Sequence, residues 1–377
     1  MNYYNVLLRS IGFDSTQIGF WGSASSAIAM ATLPLWGVVS DKIGSAKRLY
    51  LLSMILYAAI FAILPVAGNM APATFIPLYA LILSYSLVRQ PTHSLQDAWM
   101  LGICVKHGLD FTSIRKWGSL GFAVISVFYG WIAAYIGTGF IFFATPVLVV
   151  PMALLCRRFP PGEPPVEPAA PVEKRVPKAR INPLLLFKNY HYATSYIITI
   201  ALAFYSALVM PFYPFILESA GMRPDQFGTV SGFGAFVQVA VMWSLSRYCR
   251  KIPLPAILVG GAAVGVLENV MYGLADNFGM LMAAGTLWGI EMAINVSTLP
   301  TYIYSLIPRS HTATAMSVNG AVVTLLTIIG NYAGGHMVAR IGIDRYNYAL
   351  ALMRGGLTLL FVLTLLIGKK HTIKNTA

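Results

Sequence analysis

Eleven times along this chain an apolar run recurs that is long enough, at about 1.5 Å per helical residue, to cross the roughly 30 Å of a bilayer's hydrocarbon. The runs fall at roughly 15–40, 48–66, 73–100, 114–136, 139–157, 188–217, 225–248, 253–275, 278–307, 312–340 and 346–368. Inside hydrocarbon no water satisfies backbone N–H and C=O groups, so only helices or a closed barrel can span it. A barrel would show short alternating strands instead. The chain is therefore expected to be an all-α polytopic membrane protein with about eleven complete spans. Composition agrees: 57% of residues are hydrophobic, 10% are charged and the mean hydropathy is +0.69. In a soluble domain about a quarter of residues are charged.

The net charge of +13 would suggest nucleic acid in a soluble chain. Here its placement points elsewhere. Twenty of the 26 lysines and arginines fall in alternate loops and the helix ends beside them, while the other loops hold only Arg9, Arg223, Arg340 and Arg345. That bias is the positive-inside pattern, and it predicts a cytoplasmic C-terminus. No nucleic-acid partner is expected. Cys104, Cys156 and Cys249 sit near cytoplasmic helix ends, at spacings that suit neither a disulfide framework nor a metal site. No cleavable signal peptide is visible.

The longest polar stretch, "RRFPPGEPPVEPAAPVEKRVPKARINP", is rich in proline and charge and reads as a semi-rigid linker. It divides the chain into a first helical bundle over 1–157, a cytoplasmic linker over 158–187 and a second bundle over 188–377. The opening "MNYYNVLLRSIG" looks like the last turns of a further helix, which would make the halves six and six. The halves echo each other: "RKWGSLGFAVISVFYGWIAAYIG" and "TAMSVNGAVVTLLTIIGNYAGGHMVARIG" occupy corresponding slots, both rich in small residues and both ending in Ile-Gly. Internal repeats of this kind are a property of transporter folds.

Residues 37–48 read "GVVSDKIGSAKR". This resembles the loop motif of the major facilitator superfamily, G-x-x-x-D-[RK]-x-G followed by basic residues, and it sits in the same place, between the second and third helices. Gly37 permits close helix approach. Asp41 ends a helix, where it can meet a helix N-terminus or a basic side chain, and Gly44 allows the tight turn. Lys42, Lys47 and Arg48 hold the loop at an anionic inner leaflet. With the spans, linker and repeat, the resemblance covers essentially the whole chain. It implies two bundles related by pseudo-two-fold symmetry, a monomer, and no cofactor.

Within that superfamily, "SIRKWGSLGF" and "PTHSLQDAWM" resemble helices five and four of the lactose permease-like branch of proton symporters for sugars, nucleosides and aromatic acids. The resemblance carries a substrate-contacting carboxylate to Asp97 and an arginine to Arg115. "TLWGIEMAINVSTLPTYIYSLIP" resembles helix ten, and an ungapped comparison lays Glu291 on that branch's proton-carrying glutamate. The histidine three residues before it is Trp288 here. Glu268 stands on helix nine where the lactose permease has an arginine, and helix eight carries Gln238 and no acid. The antiporter motif G-x-x-x-G-P-x-x-G-G is absent from helix five, which argues for symport.

Ionisable groups inside spans are costly, and they mark function or pairing. Counting along the helices, Glu268 and Arg354 share a depth of about 10 to 12 Å and are expected to form a structural ion pair. Glu291 lies about 20 Å in, with Arg89 of the other half nearest to its depth, and the two are expected to face each other across a central cavity. His93, one turn beyond Arg89, together with Gln238 and Trp288, is a further candidate for its wall. The expected function is proton-coupled symport of a small solute by alternating access in a bacterial plasma membrane. The alternative is a degenerate carrier or sensor of the same fold. An integral membrane enzyme is disfavoured, because no Asp, His or Cys cluster gathers at one membrane surface.

Overall fold

The computed structural model describes residues 3–43, 45–69, 75–107, 111–137, 139–160, 183–223, 226–248, 252–307 and 312–374. Its helices are α1 (Tyr3–Ser10), α2 (Ser15–Ile43), α3 (Ala46–Asn69), α4 (Phe75–His107), α5 (Phe111–Tyr135), α6 (Phe140–Arg158), α7 (Tyr190–Phe204), α8 (Tyr213–Ser219), α9 (Gln226–Tyr248), α10 (Leu254–Leu274), α11 (Phe278–Ser305), α12 (Thr312–Ile341) and α13 (Ile343–Lys374). No strand occurs among the described residues. Seven of these helices are long and apolar enough to cross a membrane by themselves, or eight spans if the bent α7–α8 pair is counted as one.

Local chemistry sets the helix starts. Asp14 and Gln17 form a reciprocal capping box at α2: the Gln17 N–H donates to Asp14 Oδ1 at 2.7 Å and the Asp14 N–H to Gln17 Oε1 at 3.0 Å. Asn277 caps α11 by accepting from the Met280 N–H at 3.0 Å. Gly342, at φ +81°, turns the chain from α12 directly into α13, a backbone state that a side chain would oppose.

The span expected as one helix over 188–217 is interrupted. A π turn (Tyr205–Val209) and a 3₁₀ turn (Met210–Phe212) separate α7 from α8, with a bend of 41°. Pro211 and Pro214 each remove a backbone donor just where the helical ladder changes pitch. The carbonyls around the break are taken by side chains from other helices. Arg354 Nε donates to Ala201 O at 2.9 Å, Asn295 Nδ2 to Leu202 O at 3.3 Å and the Tyr346 hydroxyl to Leu208 O at 2.8 Å.

The helices pack as two groups. In the first, α3 contacts α4 and α6, and α2 contacts α4; in the second, α10 contacts α11 and α13, α9 contacts α11, and α7 contacts α13. The groups meet along α2–α12 and α5–α9. At the α2–α12 seam glycines let the backbones touch: a Cβ on Gly335 would lie 2.5 Å from Ser15 O, and one on Gly19 would collide with Asn331 O. Ser15 Oγ donates to Gly335 O at 3.1 Å and Ser23 Oγ to Ile328 O at 2.6 Å, both across this seam.

The two ends of the molecule differ. At the end that carries Arg9, one continuous buried core runs through both groups and joins Phe13, Phe61, Tyr85 and Phe142 to Leu208, Phe212 and Tyr213. Toward the end that carries Lys47 the core divides. One part surrounds Tyr50, Leu95 and Trp99, and the other Tyr192, Tyr302 and Phe361. Among the described residues the groups thus share one core at the Arg9 end and have separate cores at the Lys47 end. Arg9 fastens the fused end with a two-pronged ion pair to Glu218, Nε–Oε1 at 2.8 Å and Nη2–Oε2 at 2.8 Å, and its guanidinium lies 4.5 Å from the Phe215 ring centre.

Candidate functional site

Just beneath the fused end lies a cavity of about 450 Å³ walled by both groups. Tyr4 and Asn5 of α1, Ser25 and Ser26 of α2, and Tyr85, Ser86 and Arg89 of α4 form one side. Thr324, Thr327 and Asn331 of α12 form the other, with Met210 and Pro211 from the broken span. The size suits a small solute.

Arg89 is the cationic side chain on this wall. Among the described residues it has no acidic partner. Its guanidinium sits 5.8 Å from the ring centre of Tyr85, which is stacked on Tyr4 at 5.6 Å and tilted against Tyr57 at 5.5 Å. A cation–π contact contributes about 0.5 to 2 kcal/mol. An arginine at the middle of a membrane helix costs about 2.5 to 3.5 kcal/mol on insertion scales. The ring contact alone therefore does not offset the placement of this charge.

A second polar cluster is sealed within the second group. Arg354 of α13 is 1% exposed, and Glu268 of α10 and Glu291 of α11 are 0% exposed. Arg354 Nη1 donates to Gly265 O and to Asn269 Oδ1, each at 3.0 Å, and Nε holds Ala201 O of α7. Its Nη2 approaches Glu291 Oε1 at 2.7 Å, and Nη1 stands 3.9 Å from Glu268 Oε2. The short Glu291 contact is poorly aligned for a hydrogen bond, and the four carboxylate oxygens have no hydrogen-bond partner. The arginine's hydrogen bonds go to neutral acceptors, while its charge faces two acids. Gly265 makes room for this, since a Cβ there would fall on the guanidinium.

This arrangement corrects one expectation and adds to another. Glu291 does not face Arg89 across the cavity; its side chain points into the second group and pairs with Arg354. The expected Glu268–Arg354 pair is present at 3.9 Å, and Glu291 joins it with the shorter contact of 2.7 Å. The depth count missed Arg354 as a partner of Glu291 because α13 begins at Ile343, three residues before the apolar run, which puts Arg354 about 4.5 Å deeper.

The remaining expected residues scatter. Arg89 does line the cavity. Trp288 does not: it is 7% exposed, and its ring lies where a Cβ on Gly234 would fall, between α9 and α11. Gln238 is half-buried on α9 and is not on the cavity wall. His93, Asp97 and Arg115 fall on α4 and α5, but their side chains lie outside the described residues, as do those of Gly37 and Asp41 on α2. Gly44 lies outside them altogether. Lys42 and Arg48 are exposed. Lys47 turns inward: its ammonium donates to Arg157 O at 3.0 Å and to Phe159 O, tying the loop to the C-terminus of α6. The uncharged lining residues were missed because hydroxyls in apolar spans raise no charge signal. The serine run "GSASSA" at 22–27 was the available hint.

Known proteins agree with this architecture. The chain is 23% identical over 325 residues to the maltose permease of Geobacillus stearothermophilus, covering 85% of this chain and 79% of that protein. It is 25% identical over 283 residues to the putative nucleoside transporter YegT of Escherichia coli, covering 72% of this chain and 63% of that protein. The crystal structure of the nucleoside transporter NupG superimposes with a TM-score of 0.76 at 16% identity, over 96% of this chain and 93% of that one. These relatives are transporters, not enzymes. The model of the MFS_1 like family matches residues 1–347, and the chain belongs to that family, a multi-pass membrane transporter of the major facilitator type.

Proposed function

We propose that this transporter moves a small solute by alternating access of the two helix groups, 1–157 and 188–377, and that it couples each cycle to a proton. The observation that carries the coupling is the sealed cluster of two carboxylates and one guanidinium. With both acids ionised the cluster would hold a net negative charge where water does not reach, a costly state. One proton on the pair makes it neutral. Glu291, in contact with Arg354 at 2.7 Å, is the seat whose protonation changes a contact, and Glu268 at 3.9 Å is the alternative seat.

Arg354 also connects this cluster to the cavity. Its Nε holds Ala201 O just before the break whose turn supplies Met210 and Pro211 to the cavity wall. A proton that loosens the Glu291–Arg354 contact therefore acts on the helix that borders the solute. The basic loops favour a bacterial plasma membrane with the Lys47 end in the cytoplasm. In that orientation the described conformation is closed outward. The test is uptake into vesicles under an imposed pH gradient. Glu291→Gln is expected to abolish accumulation while leaving exchange of solute down its own gradient. Unchanged accumulation in that variant rules out Glu291 as the coupling group.

A further inference from the structure

The polarity of the cavity names a class of solute, given that it is the transport site proposed above. We infer that the solute is a small hydroxylated monoanion of the sugar-acid type, with its carboxylate on Arg89 and its hydroxyl groups toward α2 and α12.

Three features of the wall lead there. The cationic group, Arg89, has no acidic partner among the described residues, and its guanidinium carbon lies 5.8 Å from the Tyr85 ring centre, a contact that brings no anionic acceptor to its N–H fork. A carboxylate accepts that fork in a bidentate way, and a neutral hydroxyl does not supply the missing charge. Three hydroxyls of the wall are spent as donors. Ser26 donates to Gly22 O at 2.9 Å, Thr324 to Gly320 O at 2.8 Å and Thr327 to Val323 O at 2.8 Å, so each offers the cavity its lone pairs. Two buried polar atoms of wall residues also have no hydrogen-bond partner among the described residues: Oδ1 of Asn331, which is 3% exposed, and the hydroxyl of Tyr4.

The cavity thus offers donors from α1 and α4, at Arg89 and Tyr4, and acceptors from α2 and α12, at Ser26, Thr324, Thr327 and Asn331 Oδ1. A ligand that matches both sets carries an anionic acceptor and O–H donors. A neutral sugar leaves the Arg89 charge unmatched, and an unhydroxylated acid leaves the acceptors unmatched.

The test uses the full chain in nanodiscs, with D-glucuronate and D-gluconate compared against D-glucose, maltose and uridine by calorimetry. The acids are expected to bind at least tenfold more tightly than the neutral compounds. Arg89→Gln is expected to remove that preference and Arg89→Lys to keep part of it. The comparison of ligands on the unaltered chain stands even if a variant does not fold. Equal binding of glucose and glucuronate, no binding of either acid at millimolar concentration, or a full preference in folded Arg89→Gln would each overturn the assignment. Gradient-driven uptake of a neutral solute would sink the sugar-acid class and leave the transporter reading intact. Arg89-dependent acid binding with no gradient-driven uptake would do the reverse.

Discussion

At the scale of single residues, Arg354 ties four helices of the second group to one another. It reaches α7, α10 and α11 at once, with Ala201 O, Gly265 O, Asn269 Oδ1 and two carboxylates around it. Replacing it by leucine would strand all of these in a dry interior. Removing one partner of a buried charge pair costs about 3 to 5 kcal/mol. Arg354→Leu is therefore expected to lower the unfolding temperature sharply in a thermal-shift measurement. Glu268→Gln should change it little, because its contact is long and the amide replaces an acid that one guanidinium cannot fully neutralise. Equal destabilisation by the two variants would show that Glu268, not Glu291, is the arginine's main counter-charge. Lysine is a poor substitute, since its compact ammonium lacks the planar fork that reaches both Ala201 and Glu291.

At the scale of helices, the placement of that cluster depends on small residues and on the broken span. Gly265 sits where a methyl group would meet the guanidinium. Overpacking of this kind costs about 1 to 3 kcal/mol. Gly265→Ala is expected to displace Arg354, lower the unfolding temperature and weaken proton-driven accumulation together, whereas Gly260→Ala on the same helix meets nothing within 4 Å and serves as the control. The helices themselves were largely legible in the sequence, because an apolar run of the required length admits one structure in hydrocarbon. Their ends were less so. Helix α4 continues to His107, seven residues past the apolar run, because a helix does not stop where the lipid does. The break between α7 and α8 lay hidden in an apolar run that contains Pro211 and Pro214, since hydropathy does not register a missing N–H. Which way Glu291 faces was not legible either. A helix that is apolar nearly all round has no stripe to orient it, and the approach of Arg354 from α13 decides.

At the scale of the whole molecule, the proposed alternating access needs the two groups to part at one end while they meet at the other, and the described residues share one core at the Arg9 end and form two at the Lys47 end. What biases the position is modest. The Arg9–Glu218 pair is 33% and 45% exposed at its two side chains. Ion pairs this open to water contribute about 0.2 to 1 kcal/mol, a factor of up to about five in a population. The serine-to-carbonyl bonds and glycine contacts between α2 and α12 add to it. Arg9→Glu places two acids against each other at the seam and is expected to shift the molecule toward opening at that end. The shift reads out as faster labelling of a thiol introduced by Ser23→Cys with a membrane-impermeant reagent from the Arg9 side. Adding Glu218→Arg should restore slow labelling, because the exchanged pair remakes the attraction with its sign reversed. If labelling in Arg9→Glu stays at the parent rate, the seam is held by the α2–α12 backbone contacts and the ion pair is only an ornament on it. If labelling rises and the exchange fails to reverse it, the site reads geometry as well as charge, since the arginine also stacks on Phe215 and bonds Phe13 O at 3.3 Å, contacts that an arginine at position 218 would have to rebuild from the other side.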